Sequence, residues 1–173
     1  MKEREQLNFV EAMKLASSRL FDFSGRSRRS EFWWWIVPVL LVNNIVSMFI
    51  TNLWVSAVVS TVIMFFGLAA TARRLQDTNN SALWVYVSYA LGIIIQVFFA
   101  SSETMTKLIS MTQSGASEKA LTKFVEKNVN ELSCIGGISV AFCIVSLIVI
   151  IFCLLDSKAH ANKYGDSPKY YEA

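Results

Sequence analysis

Charge is what this sequence has least of, and it is missing in blocks. No residue from Trp33 to Ala72 is charged, none from Thr78 to Ser102, and none from Leu132 to Leu155. Only 17% of the 173 residues are charged, against about a quarter in an average soluble domain. Histidine occurs once and proline twice, and the three cysteines make an odd number. Cys143 and Cys153 sit inside the last apolar block, which argues against a disulfide framework and for small residues packed between helices. His160 stands in a polar tail beside Lys158 and Lys163, with no Cys/His/Asp/Glu cluster at metal-ligand spacing, and reads as solvated. No Gly-x-Ser-x-Gly, His-Glu-x-x-His or phosphate loop is written anywhere. An enzyme is therefore the least supported class, and no cofactor is expected.

What fills the space is apolar: 54% of the residues are hydrophobic. A bilayer core needs roughly 20 apolar residues per helix, so the first block holds two spans and the others one each. The expected fold is all-α, an integral membrane four-helix bundle with spans at about 33–50, 55–72, 81–100 and 132–155. "TNLW" (51–54) supplies the turn between the first two spans. A break at Asn43-Asn44 would leave the first segment too short to cross. Pro38 is near enough to the start of its span to be tolerated. The first thirty residues lack an apolar stretch followed by a small-residue cleavage site, so no signal peptide is expected.

The chain divides into an amphipathic and basic segment at 1–32, three spans at 33–100, an insertion at 101–131, a fourth span at 132–155 and a tail at 156–173. Residues 1–23 read as a surface helix, with Leu7, Val10, Met13, Ala16 or Ser17, and Leu20 at helical spacing among charged residues. Such a helix suits a membrane surface, partner helices or its own protein. Gly25 should break it, and Ser27 or Ser30 could cap the next helix. Trp33, Trp34 and Trp35 mark a water–lipid boundary. The insertion splits at "QSG" (113–115) into a helical hairpin. Its apolar positions are Met105, Leu108 and Ile109, then Leu121, Phe124, Val125 and Leu132.

Orientation follows from the positive charges. With the N-terminus inside, the inner segments hold twelve Lys/Arg: 2, 4, 14, 19, 26, 28, 29, 73, 74, 158, 163 and 169. The outer insertion holds four, at 107, 119, 123 and 127, nearly balanced by Glu103, Glu118, Glu126 and Glu131. The positive-inside rule then puts both termini in the cytoplasm.

Three polar motifs interrupt the apolar blocks: "FDFSGRSRRSEFWW" (21–34), "ARRLQDTNNSALW" (72–84) and "NKYGDSP" (162–168). In that order around four spans, they resemble the bacterial inner-membrane family known as domain of unknown function 805. Gly25, Arg26, Arg29, Glu31, Phe32 and Trp33 match its first motif. Arg73, Arg74, Leu75, Asp77, Thr78, Ser81 and Trp84 match or nearly match its second, and Asn162, Tyr164, Gly165 and Pro168 its third. Gln76 stands where the family has histidine, and Asn79 and Ala82 replace glycines. Asn tolerates a left-handed turn, whereas Ala does so at a cost. The insertion at 101–131 is longer than the family's short turn. The resemblance implies architecture and a bacterial inner membrane, but no biochemical activity.

Arg73 and Asp77 are i,i+4 partners, and Arg74 and Asp77 i,i+3 partners, if the second span stays helical that far. Asp77 or Ser81 could cap the third span. One reading is a helix end that anchors the loop and satisfies its own charges. The other is an anion site built by Arg26, Arg29, Arg73, Arg74 and Asp77, because guanidinium forks match phosphate or carboxylate oxygens. Its ligands would be anionic lipid headgroups or a membrane-protein partner; homo-oligomers are possible and no nucleic acid is expected. The expected role is a non-catalytic scaffold or interaction protein. The alternative is a small transporter or channel subunit whose oligomers line a pore with Asn43, Asn44 and Gln96. The spans lack any charged residue, which argues against proton coupling.

Overall fold

The computed structural model describes residues 1–171. Seven α-helices are present among them: α1 (Phe9–Ser18), α2 (Arg29–Phe49), α3 (Leu53–Asp77), α4 (Leu83–Ser101), α5 (Glu103–Gln113), α6 (Glu118–Lys127) and α7 (Val129–Leu154). Two short strands, β1 (Lys2–Glu3) and β2 (Tyr170–Tyr171), pair antiparallel and join the two terminal segments. Helices α2, α3, α4 and α7 are each long and apolar enough to cross a membrane. Their outward faces carry exposed Leu41, Ile45, Val58, Val62, Val97, Ile144, Leu147 and Ile151. A helix apolar outside as well as inside belongs in lipid. The protein is a multi-pass membrane protein, an all-α bundle of four spans.

The expected breaks fall close to the observed ones. Residues 50–52 separate α2 from α3, and the Asn52 side chain accepts from Val55 N at 3.1 Å, capping α3. The insertion folds as the hairpin α5–α6. Three expectations need correction. The first helix is shorter than 1–23: Asn8 and Glu11 form a reciprocal capping box that starts it, while residues 2–3 pair with the tail. Its packed face is Ala12 and Ala16 against α2, and Val10 points outward. Neither Ser27 nor Ser30 caps α2, whose N-terminus has no side-chain cap. And α3 continues past Ala72 to Asp77, because its polar last turn finds partners inside the protein.

The spans pack in sequence, α2 on α3, α3 on α4 and α4 on α7, with α3 also touching α7. Helices α2 and α7 form no extensive contact, so a seam runs between them. In lipid, helices associate through close fit and not through water release. Small residues supply that fit: a Cβ on Gly67 would stand 2.6 Å from Ile36 Cδ1, so a larger residue there would require the Ile36 side chain to shift. The buried cluster Phe32, Ile36, Leu68, Ala70, Leu75, Val85, Val149 and Cys153 lies toward the end of the bundle that carries both termini.

Candidate functional site: an arginine knot at the terminal end

Because α3 stays helical through Arg73, Arg74 and Asp77, these side chains turn into the bundle end, and all three are fully buried. Asp77 is the centre. Its Oδ1 accepts from Arg26 Nε at 2.9 Å and its Oδ2 from Arg74 Nη1 at 2.5 Å. The Ser157 hydroxyl donates to the same Oδ2. The i,i+3 pair therefore forms as its spacing allows. Arg73 takes a different partner: its Nη2 lies 3.5 Å from Glu31 Oε1, and its Nη1 donates to the carbonyls of Arg19 (2.7 Å) and Asp22.

Main-chain oxygens take most of the remaining donors. Arg26 Nη1 donates to His160 O at 2.9 Å and Gly165 O at 3.2 Å, and Nη2 donates to Lys158 O. Arg74 donates to Ser27 O at 3.3 Å, Cys153 O at 3.1 Å and Leu155 O. The last two are orphan carbonyls at the end of α7, so Arg74 caps that helix and faces its negative pole. Three guanidinium groups thus meet two carboxylates, and aligned carbonyls offset the third positive charge.

The tail is shaped to present its oxygens. Asn162 Oδ1 accepts from Tyr164 N at 2.8 Å, and Asn162 Nδ2 donates to Gln76 O at 2.9 Å. Gly165, at φ +121°, closes that turn in a conformation L-residues avoid, and its carbonyl then reaches Arg26. Asn79 occupies the left-handed region (φ +66°) in the α3–α4 turn, as its place opposite a family glycine suggested. Ser81 Oγ accepts from Leu83 N at 3.2 Å at the head of α4, while Asp77 caps nothing there.

Beyond the knot, Lys169 Nζ lies 2.7 Å from Asp156 Oδ2 and 3.4 Å from Glu3 Oε1. The Lys169 hydrogen bond holds the Asp156 carboxyl below the usual carboxylate range, and the same bond pushes the Lys169 ammonium above its ordinary value. In the loop before α2, the Ser24 amide and then Arg19 lower the Asp22 carboxyl.

Arg26, Arg73, Arg74 and Asp77 are therefore brought together, but facing inward. Arg29 is separate: it is the exposed first residue of α2, with no hydrogen bond or ion pair among the described residues. The expected single basic surface is divided because a buried guanidinium must be neutralised where it lies. Here the chain's own carboxylates and carbonyls do so. Asn44 Nδ2 bonds its own helix at Leu40 O (2.8 Å), and Asn43 Oδ1 is buried without a partner. Only Gln96 of the three expected pore residues lines the cavity inside the bundle. Glu31 and Ser157 were not among the expected site residues. Glu31 had a signal: an acid heading forty uncharged residues needs a cation nearby. Among the described residues no three His, Cys, Asp or Glu side chains come together as a metal-holding group.

No curated protein and no solved structure matches the chain. The family described as "Protein of unknown function (DUF805)" matches residues 20–166, a stretch that covers the first two motifs, most of the third and all four spans. The chain belongs to the DUF805 family.

Proposed function

We propose that this protein is a non-catalytic scaffold or interaction protein of the bacterial inner membrane. Both termini lie in the cytoplasm, and its arginine-rich end faces anionic lipid headgroups. The observation that supports this is the division among the arginines. Arg26, Arg73 and Arg74 are each held by carboxylates and carbonyls of the chain itself and act as fasteners; of their buried donors only Arg73 Nε lacks a partner among the described residues. Arg29 is left outward at an uncapped helix start, beside Trp33 and Trp34 at the level where indoles meet headgroups. One cation near an anionic leaflet contributes about 1 kcal/mol.

The test is native mass spectrometry of the detergent-extracted protein. Phosphatidylglycerol or cardiolipin should be retained, and Arg29→Gln should reduce that retention. Equal retention by the two proteins would remove the basis for the reading. Arg73 and Arg74 are unsuitable targets here, since loss of Arg73 leaves the buried Glu31 without its cation and loss of Arg74 takes one of the two cations from the buried Asp77.

The second reading is a small transporter or channel subunit. The buried, unpartnered oxygens of Asn43 and Gln96 favour it, because polar atoms in lipid usually find partners. Solute flux in proteoliposomes that disappears in an Asn43/Asn44→Leu protein would support this reading over the first.

A further inference from the structure

A cavity of about 340 Å³ lies inside the bundle, with walls from all four spans. It runs from Phe32 to Leu40 on α2 and from Phe142 to Cys153 on α7. At 1.5 Å per residue those spans are about 12 Å and about 16 Å long. Half of a bilayer's hydrocarbon core is about 15 Å. The cavity is as deep as one leaflet, the leaflet on the terminal side.

Its wall is almost wholly apolar. The Ser88 and Ser146 hydroxyls bond each other at 2.9 Å, and Thr71 Oγ1 donates to Gly67 O at 2.8 Å. Gln96 Oε1 is the one lining oxygen buried without a partner among the described residues, and the apolar remainder of the wall takes hydrocarbon. Access is lateral, through the seam where α2 and α7 fail to pack. On the two helices that flank the seam, Leu40 of α2 (39% exposed) and Ile150 of α7 (47% exposed) both line the cavity and reach the outside of the bundle.

The end of the cavity at the membrane surface adjoins a polar cleft, because Trp33 lines both. Glu3, Arg28, Arg29, Ser30, Asp156 and Lys169 contribute to the cleft. Lys169 holds the two acids, Glu3 and Asp156. Arg28 is committed to Glu5 O at 2.6 Å. Besides the exposed Gln6 amide, two groups are left: the Arg29 guanidinium, and the Ser30 hydroxyl, whose oxygen is buried without a partner. Both stand at the uncapped start of a 21-residue helix, where first-turn amides favour an anion.

We propose that cavity and cleft form one site for a single anionic phospholipid of the leaflet on the terminal side. Its phosphate sits against Arg29, Ser30 and the start of α2, and one acyl chain passes Trp33 and enters the bundle through the α2–α7 seam. The assignment rests on the anionic-lipid reading above and deepens it from a surface attraction to a bound molecule.

The experiment uses the full chain in phosphatidylcholine nanodiscs. They carry a trace of phosphatidylglycerol, or of phosphatidylcholine, with a diazirine in one acyl chain. After irradiation, cross-links on Tyr89, Ser146 and Val149 inside the bundle are expected. Cross-links confined to Ile144, Leu147 and Ile151 on the outer face would overturn the proposal. Ser146→Phe, which fills the cavity and removes the Ser88–Ser146 bond, should abolish the inner cross-links while the melting temperature falls by only about 2–4 °C. If that variant misfolds, Ile150→Trp at the seam replaces it, and inner cross-links persisting at full yield in the folded variant overturn the proposal. Arg29→Gln should lower the inner yield of the phosphatidylglycerol probe about fivefold relative to the phosphatidylcholine probe, the ratio corresponding to about 1 kcal/mol. Outer cross-links alone, with an Arg29-dependent preference for phosphatidylglycerol, would sink the bound molecule and spare the surface reading. No headgroup preference in the wild type would sink both.

Discussion

Arg26 Nε and Asp77 Oδ1 meet at 2.9 Å across 51 positions of sequence, and both side chains are sealed from solvent. The pair joins the loop before α2 to the end of α3, and through the other donors of Arg26 it also holds the tail. Removing one partner of a buried pair costs about 3–5 kcal/mol, because the other charge stays buried and unpaired. Asp77→Asn strands two guanidinium groups and should reach that range. Thermal unfolding in detergent reads it. A melting temperature equal to the wild type would show that Asp77 is not the centre of the knot.

Arg74 offers a sharper test of geometry. Its fork spans Asp77, Cys153 O and Leu155 O at once, joining α3 to the end of α7. A lysine ammonium is a point charge on a flexible stem and cannot reproduce those directions. Arg74→Lys is expected to keep the charge yet lower the melting temperature substantially. Hydrogen exchange should rise at the amides of residues 156–160. Full retention of stability would mean that charge alone suffices.

The four spans were legible because apolar run length is set by the bilayer, and each run had to be about that long. The i,i+3 pair Arg74–Asp77 was legible from helical spacing alone. What was not legible is direction. Nothing in the spacing says whether Arg73 faces headgroups or Glu31, since that depends on how α2 lies against α3. Gly67 leaves room for the Ile36 side chain at that contact, and its role appears only once Ile36 is placed beside it. The helix at 9–18 was overextended for a related reason. Apolar periodicity continues on both sides of it, whereas the Asn8–Glu11 capping box and the pairing of Lys2–Glu3 with Tyr170–Tyr171 fix its start.

Topology can be measured by thiol labelling in a protein whose native cysteines have been replaced. Cysteine at Ser114, in the exposed turn of the α5–α6 hairpin, should react with an impermeant reagent added outside. Cysteine at Ser81, exposed in the α3–α4 loop, should not. Ser81 is preferable to Asn79, whose φ of +66° would strain the substitution. The opposite labelling pattern would invert the orientation.

The clasp between Asp156 and Lys169 should weaken in acid. Asp156 is held below its ordinary value, so its contribution is complete above that value, 3.8 when unperturbed, and fades as pH falls through the lowered one. Lys169 is raised, so its contribution is present below 10.5 and is lost only in strong alkali. Between these limits the clasp should not change. The Asp156 side chain is about half exposed, so the pair contributes only about 0.2–1 kcal/mol. Hydrogen exchange at Arg4 N, which donates to Lys169 O at 2.8 Å, should accelerate in Asp156→Asn at neutral pH. Unchanged protection would detach β1–β2 from the clasp.

The α5–α6 hairpin should be separable from the bundle. Thr104 is the only buried residue of α5, and α6 has none. Its four lysines face three glutamates, with Glu131 in the first turn of α7 as a fourth, so it exerts no strong net field. Helices of 11 and 10 residues are too short to persist alone in water. They hold each other, rest on the membrane surface or meet a partner beyond it. The root is fastened where Glu131 accepts from Ser102 Oγ at 2.5 Å and Thr104 Oγ1 at 2.6 Å. Replacing residues 103–130 with a short Gly/Ser linker keeps Ser102 and Glu131 and removes one of the two side-chain hydrogen bonds to Glu131, that of Thr104, a loss of about 1 kcal/mol. Membrane insertion should be unchanged and the melting temperature should fall by about 2–4 °C. Any partner that depends on the outer face should be lost. A collapse of folding would instead show that the hairpin plugs the bundle, and would shift the balance toward the channel reading.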